Sequence, residues 1–345
     1  MNLRDHGDVP TPRQRDSVPI LPPLRQRLKQ ILSAVRARLA EPLSTIPGPQ
    51  AETCPPPSST PMGLPMGLVD PFSNQSRQLN ELTNPAKWDN PEWLRIHREI
   101  ETYAVDKHCF SRTKELAYRK GWEWTQAAYG LHQLGAVAPH ATALGVGAGH
   151  EPLLFYFADR VAKVCGTDLY GNDTWTRAGG KEADADALAN PARFCPRPFN
   201  RANLELLSMD GTRLEFDAGT FDFVWSLSSI EHFGGHAAAQ KSIQEMARVA
   251  KANGVVAVAT EFILTPGVAD HPEFFTRDHF EAHVVRADPR LLPIQPMSYN
   301  LPALEYLLDP IMVHLGEDVH RRRHHIVLND GQVQWTSAIV FFRKI

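Results

Sequence analysis

Three glycines alternate in the stretch Ala143-Leu144-Gly145-Val146-Gly147-Ala148-Gly149, directly behind an apolar run and ahead of Leu153-Leu154-Phe155-Tyr156-Phe157. The order reads as a strand, a tight turn and the start of a helix. A sharp turn with a ligand passing close to the backbone requires residues without a Cβ. The first turn of a helix adds N–H groups that lack an internal partner. Alone, the pattern does not discriminate, because several classes of cofactor site use a glycine-rich turn.

The segments that follow narrow the choice. Val161-Ala162-Lys163-Val164-Cys165-Gly166-Thr167 reads as a second strand ending in Asp168, about twenty residues past the glycines, where dinucleotide-binding folds keep an acid for a ribose hydroxyl. Leu206-Leu207-Ser208-Met209-Asp210-Gly211 is another strand ending in an acid. Residues 221–233 give a buried strand running into a polar loop that contains Ser226, Glu231 and His232. A helix over 242–253, closed by Gly254, then leads to the strand Val255-Val256-Ala257-Val258-Ala259-Thr260.

In this order the motifs resemble those of the class I S-adenosylmethionine-dependent methyltransferases, over roughly residues 121–260, with a sixth and seventh strand expected near the C-terminus. The resemblance implies an α/β fold: a Rossmann-like, doubly wound, seven-stranded sheet, here with a helical N-terminal lead-in. It implies S-adenosyl-L-methionine as cofactor, with Gly145, Gly147 and Gly149 around its methionine part and Asp168 on its ribose. Asp210 and Gly211 then stand at the adenine, and Ser226 lies in the fourth motif, which borders donor and acceptor. Arg248-Val249-Ala250-Lys251-Ala252-Asn253-Gly254 is similar to the family's post-helix signature.

Each assignment has a plainer counterpart. Asp168 also reads as a strand-end acid capping the next loop, and Asp210-Gly211 as an ordinary turn dipeptide. One departure stands out: the family carries an acid two residues before the first glycine, and this chain has Ala143. Glu151, just past the turn, is the candidate replacement for the donor's amino-acid end. Its alternative is a helix first-turn acid, favoured by about 0.3–1 kcal/mol.

His232 follows the fourth strand, at the end of the sheet where such folds open their ligand crevice. A histidine there suits proton removal from an acceptor hydroxyl; the Glu231-His232 pair also reads as a hinge that shapes the pocket. Methyl transfer from a sulfonium depends mostly on alignment, so a strong base is not required.

The 345 residues are 43% hydrophobic with a net charge of −3, enough apolar content for one large α/β core and no global bias towards nucleic acid. Cys54, Cys109, Cys165 and Cys195 show no metal-like or redox-like spacing, which fits a reducing compartment. No apolar run approaches the length of a membrane span, and the N-terminus lacks a signal-peptide pattern. The expected location is the cytoplasm.

Three regions organise the chain: 1–71, 72–135 and 136–345. The first opens polar and Pro-punctuated. Residues 24–39 then carry the helical stripe Leu24, Leu28, Ile31, Leu32, Val35 and Leu39 beside Arg25, Arg27, Lys29, Arg36 and Arg38. Such a helix either contacts a membrane surface or protein partner, or packs on its own domain. Residues 42–71 form a Pro-rich linker with a Pro-Met-Gly-Leu repeat. The second region is the helical lead-in, with Pro91 at a helix start and Trp93, Ile96, His97 and Ile100 at helical spacing. Within it, Tyr118, Arg119 and Trp122 precede a helix over 125–135. They either cover the donor or cap the sheet edge.

Acceptor recognition is expected from the long segments 170–203, with Trp175, Glu182, Asp184 and Asp186, and 266–310, with a helix over 301–308. The run His320-Arg321-Arg322-Arg323-His324-His325 reads as an exposed basic turn or a phosphate contact. His320 and His324 stand four apart with no nearby acid set, so no metal site is expected. A hairpin around Asn329-Asp330-Gly331 should supply the closing antiparallel strand.

The amino-directed DNA methyltransferase motif Asn-Pro-Pro-Tyr is absent from the fourth-motif position. A small-molecule or glycan acceptor is therefore expected over nucleic acid, with methylation on oxygen favoured and methylation on nitrogen or carbon left open. Two rivals remain. A nicotinamide-dependent oxidoreductase would keep G-x-G-x-x-G/A, where this chain has G-x-G-x-G; a non-catalytic methyltransferase-like binding module is suggested by Ala143.

Overall fold

In the computed structural model, residues 77–171, 183–315 and 323–345 are described. The amphipathic helix over 24–39, the linker over 42–71, Trp175, Glu182 and His320 lie outside them.

Asn90 starts the first long helix, α1 (Pro91–Glu101): its side chain accepts from the N–H groups of Glu92 and Trp93, and Pro91 takes the first helical position. The expected stripe is the buried face, formed by Trp93, Ile96, His97 and Ile100. The second helix, α2 (Arg119–Gln133), begins six residues before the expected 125, which puts Arg119, Lys120 and Glu123 on adjoining turns of one helix. It packs so closely on the sheet that a Cβ at Gly130 would stand 2.2 Å from the ring of Phe341.

Among the described residues the sheet has ten strands: β1 (Glu81–Leu82), β2 (Thr142–Val146), β3 (Lys163–Asp168), β4 (Leu204–Ser208), β5 (Phe221–Leu227), β6 (Ala250–Ile263), β7 (Leu291–Pro293), β8 (Ile311–Met312), β9 (Leu328–Asn329) and β10 (Gln334–Lys344). Their order is β4-β3-β2-β5-β6-β10-β9-β8, with β1 and β7 both paired to β10 off that path. Strands β4 to β6 in this order run parallel, and β10 runs antiparallel to β6 from Trp335↔Ile263 to Arg343↔Val255. The expected seven strands are β2 to β6, β10 and β9; β1, β7 and β8 are short additions of two or three residues. The expected hairpin is present, pairing Leu328 with Trp335 and Asn329 with Gln334.

Helix α3 (Pro152–Ala158) connects β2 to β3, and α4 (His236–Val249) connects β5 to β6. One apolar layer holds the buried faces of α1 to α3 and the other that of α4, so the sheet is covered on both faces. Such a doubly wound sheet opens its crevice where the chain direction of winding reverses, here between β2 and its neighbours β3 and β5.

Two element expectations are corrected. The helix over 242–253 instead runs from His236 to Val249, and Ala250 already pairs with Phe221 in the sheet. The register then shifts between Phe221 and Phe223, and Asn253 takes φ = 64°, so the post-helix signature forms an irregular strand entry. The helix over 301–308 is only Leu304–Leu308, and Leu301, Leu304 and Leu308 are exposed. No helix among the described residues is long and apolar enough to cross a membrane.

Candidate functional site

A cavity of about 1020 Å³ opens at the carboxyl ends of β2, β3 and β5. Pockets for a single organic ligand run to roughly 300–1,000 Å³, so this volume suits two reactants side by side. One part of its wall is the glycine turn with Asp168, Leu169, Met209, Asp210, Gly211 and Phe233. Another is built by α2 and the segments before and after it: His108, Cys109, Tyr118, Arg119, Lys120, Trp124 and His325.

Gly147 faces the cavity with φ = 63°, and a Cβ there would lie 2.7 Å from Ser229 Cβ. No other residue gives the backbone this approach without strain. The Ser229 hydroxyl donates to Gly147 O at 2.7 Å and ties the β2 turn to the loop after β5. Asp168 accepts from the N–H of Gly149 at 2.8 Å and from that of Leu169 at 2.7 Å. Asp168 thereby braces the turn from the cavity wall. Tyr170 donates its hydroxyl to Gly149 O. Asp210 makes an Asx turn, accepting from Thr212 N and Oγ1 at 2.8 Å each, with Gly211 beneath the Phe233 ring.

The helix start is less open than the sequence implies. Glu151 is the residue before α3 and Pro152 takes its first position, so that position has no N–H to offer. What faces the cavity is the Glu151 carboxylate, accepting from the indole N–H groups of Trp124 at 3.0 Å and Trp225. Burial raises its pKa to about 7 against the pull of those indoles and of Lys120.

Glu151 belongs to a larger group of buried charges on α2, β6 and the loop after β5. Arg119 binds Glu123 at 2.9 Å and Glu261 at 2.5 Å, and Lys120 binds Glu123 at 3.0 Å and Leu227 O at 3.1 Å. Glu123, wholly buried, also accepts from Ser337 and, at 2.8 Å, from Ser228. Its pKa is lowered despite burial because Lys120, Arg119 and the Ser337 hydroxyl favour the carboxylate. Burial instead raises Glu231 and Glu261 to about 7. The Glu123–Ser228 bond holds Ser228 at φ = 48°, a conformation that costs a serine on the order of 1–3 kcal/mol, at the cavity wall.

Sequence reasoning brings most of its site residues to this cavity. Gly147, Glu151, Asp168, Asp210, Gly211 and His232 line it, with Tyr118 and Arg119. Gly145 and Gly149 lie behind the wall, Gly145 against Trp225 and Gly149 under Asp168. Ser226 is corrected: it is wholly buried within β5, and Leu227, Ser228 and Ser229 line the cavity instead. Ser226 lies inside β5, and the cavity begins only at the strand's last residue, Leu227. Trp122 is likewise wholly buried in the core, while Trp124 is at the wall. The segment 266–310 contributes nothing to the lining, because it returns along β6, where Phe275 pairs with Phe262. From 170–203, Arg193 and Phe194 reach it.

Several cavity residues escaped the sequence reading. Lys120 and Trp124 sit one helical turn apart, a signal that a helix beginning at 119 would have carried. His108 pairs through Nδ1 with Asp106 and places Nε2 3.3 Å from Cys109 Sγ. His325 was read as part of an exposed basic turn but is buried, stacked on Tyr118, with its pKa lowered to about 3 by burial and the nearby Arg119. Arg323 of the same run is taken up by Asp309 at 2.5 Å.

Residues 144–258 match the family model described as a methyltransferase domain. Over that segment the chain is similar to S-adenosylmethionine-dependent methyltransferase domains. Among solved structures, similarity extends to a putative sarcosine dimethylglycine methyltransferase from Galdieria sulphuraria (12% identity, 73% of this chain and 98% of that one, TM-score 0.43). It extends also to geranyl diphosphate C-methyltransferase from Streptomyces coelicolor (17% identity, 74% and 99%, TM-score 0.42). A third is the [4+2]-cyclase SpnF (11% identity, 77% and 97%, TM-score 0.43). No curated protein matches the chain.

The donor part of the cavity fits the cofactor on its own terms. A backbone bared at Gly147, a strand-end carboxylate at Asp168 and an acid with an adjoining glycine at Asp210 follow one another along the wall. Beside them the buried group holds four carboxyl groups, Glu123, Glu151, Glu231 and Glu261, against the two cations Arg119 and Lys120. With Glu151, Glu231 and Glu261 near half-protonated at pH 7, this group can gain negative charge when a cation binds beside it.

Proposed function

We propose that the protein transfers a methyl group from S-adenosylmethionine to a hydroxyl of a small-molecule or glycan-type acceptor. The observation that carries this reading is the continuity of one cavity from the Gly147–Asp168–Asp210 wall to the Tyr118–His325 wall. When bound, the cofactor supplies a methyl group already activated on a sulfonium. Gly147 and Gly149 shape its methionine end, Asp168 receives the ribose hydroxyls, and Asp210 with Gly211 borders the adenine. Gly145 supports the turn by admitting Trp225, whose indole fixes Glu151. Glu151 answers the donor's ammonium in place of the acid that Ala143 lacks.

On the acceptor side, His232 is exposed at the cavity and takes the proton that the acceptor hydroxyl sheds. Tyr118, His325 and Phe194 enclose an apolar part of the acceptor and exclude water, while Arg193 faces its polar end. The chain's role is chiefly positioning: near-attack alignment accounts for the larger share of such a rate gain.

Calorimetry with S-adenosylhomocysteine, with NADH as comparison, tests the donor half. Binding of the former alone is expected, and it should vanish in Asp168→Ala while the fold persists. An unchanged affinity in that variant would remove the assignment. For the acceptor half, His232→Gln should lower kcat by roughly 10²–10⁴ with donor binding intact. A loss smaller than about threefold would take proton removal away from His232.

A further inference from the structure

Away from the cavity, three elements distant in sequence bring a carboxylate and imidazoles together. His236 is the first residue of α4, Asp270 stands in the loop after β6, and His279 lies in the short helix Arg277–Phe280. One ligand atom from each lies within 4.8 Å of the others. His279 Nδ1 is 3.5 Å from Asp270 Oδ1, yet it is buried and makes no hydrogen bond. The rings of His236 and His279 are 4.5 Å apart, and a third imidazole, His283, lies 5.7 Å from His236 and 5.9 Å from His279.

We propose that His236, Asp270 and His279 form a binding site for a divalent first-row transition metal ion, Zn²⁺ by the chemistry of its donors, that pins the 264–283 segment to the start of α4. Two imidazoles and one carboxylate are the donor set that zinc accepts, with water completing four-coordination. Bonds of about 2.0–2.2 Å place tetrahedral ligand atoms roughly 3.3–3.5 Å apart, the separation His279 and Asp270 already have. Asp270 is exposed on its loop, so the remaining closure asks little of the core.

The supporting shell is also in place. His236 Nε2 is 3.1 Å from Phe274 O, and His283 Nδ1 is 2.9 Å from Gln240 Oε1. A ring nitrogen that donates to a carbonyl fixes the tautomer and leaves the lone pair on the other nitrogen, the usual arrangement behind metal-bound histidine.

The position gives the ion a consequence. His236 follows Gly234 and Gly235, whose φ values of 114° and 90° make the link to His232 a natural pivot. A metal at His236 anchors one side of that pivot to the loop carrying Asp270. None of the three ligands lines the large cavity, so the site is structural with respect to it.

The test uses the tag-free full chain, stripped with chelator and titrated with Zn²⁺, Co²⁺ or Mg²⁺. One saturable equivalent of Zn²⁺, a rise in Tm of several degrees, the intense visible bands of four-coordinate Co²⁺ and no response to Mg²⁺ are expected. His279→Gln and His236→Gln should abolish the Co²⁺ bands. Asp270→Asn, on an exposed loop and safe for folding, should weaken Zn²⁺ at least about tenfold. His314→Gln, an exposed histidine elsewhere, should change nothing, and S-adenosylhomocysteine binding reports that each variant is folded. No saturable Zn²⁺ binding, or binding that survives Asp270→Asn and His279→Gln unchanged, would overturn the site.

Discussion

Tyr118 and His325 stack face to face, their ring centroids 4.0 Å apart and their planes 7° from parallel. The backbone locks the pair: Arg119 N donates to His325 O at 2.9 Å, and His325 N donates to Ala117 O at 2.7 Å. The stack thereby joins the start of α2 to the strands that close the sheet. His325, with its pKa near 3, stays neutral at every working pH and presents a flat face rather than a charge. His325→Ala should raise the acceptor KM by roughly tenfold, the scale of one lost aromatic contact with its buried area. Donor affinity should stay within about twofold, and His325→Phe should restore the KM. Steady-state kinetics alongside calorimetry reads both; a parallel loss of donor binding would show that the stack serves the whole fold.

Arg119 holds two buried carboxylates at once. Breaking a buried pair by removing one partner costs about 3–5 kcal/mol, because the abandoned charge stays buried. Arg119→Ala should lose stability on that order in a denaturant titration, whereas the exposed pair Lys163–Glu205 at 2.7 Å should contribute within about 1 kcal/mol. Equal losses at both positions would contradict the burial argument.

Stability should pass through a maximum on the acid side of neutrality. Glu151, Glu231 and Glu261 have folded pKa values of about 7 against the ordinary 4.5, so the folded chain keeps protons that the unfolded chain releases. Their contribution is complete below pH 4.5 and is lost as pH rises through 7. Burial has the opposite effect on His97 and His325, lowered to about 4 and about 3 from 6.5: their contribution is present above 6.5 and is lost as pH falls. Thermal unfolding from pH 4 to 9 should therefore peak near about pH 4.5–5, above which the three carboxyls outweigh the two imidazoles, and Glu261→Gln should flatten the alkaline side. A Tm that climbs steadily to pH 8 would refute the assignment.

A cation beside Glu151 should draw its proton off. Donor binding near pH 7 should then release a fraction of a proton, seen as a dependence of the calorimetric enthalpy on the buffer's ionisation heat. Glu151→Gln should remove that dependence and weaken binding. If proton release persists in the variant, another group carries the linkage.

Gly147→Ala combines a left-handed backbone, worth roughly 1–2 kcal/mol for alanine, with a Cβ placed against Ser229. Donor affinity should fall by at least about tenfold. At Gly219, which has φ = 71° and nothing within 4 Å of a built Cβ, alanine should cost only the backbone term and leave donor binding intact. Calorimetry on the two variants separates ligand-site geometry from general strain.

What the residues disclosed and what they concealed follows from range. The turn at Gly145, Gly147 and Gly149, the acid Asp168 and the order of strands were legible because each is a local pattern with a period or a turn requirement. Ser226 is misplaced because β5 runs on to Leu227 and nothing local marks where the strand ends. Helix α2 was started too late, since Tyr118 offers no capping side chain to mark its beginning. That error hid Lys120 and Trp124. The Arg119–Glu261, Glu123–Ser337 and Tyr118–His325 contacts join residues too far apart in sequence for any window to register. His236, Asp270 and His279 are separated in the same way, without the tight spacing that usually advertises a metal.

Strand β10 pairs with β6, β9, β7 and β1, and Asn80 reaches across to accept from Phe341 N at 2.7 Å. Every partner precedes it along the chain. During synthesis, β6 waits with an unpaired edge and α2 without the Phe341 ring that Gly130 is shaped to receive. Non-local pairing of this kind slows folding and leaves sheet edges open to wrong partners in the interval. For this protein the exposed interval runs from release of Ile263 to release of Lys344 from the ribosome.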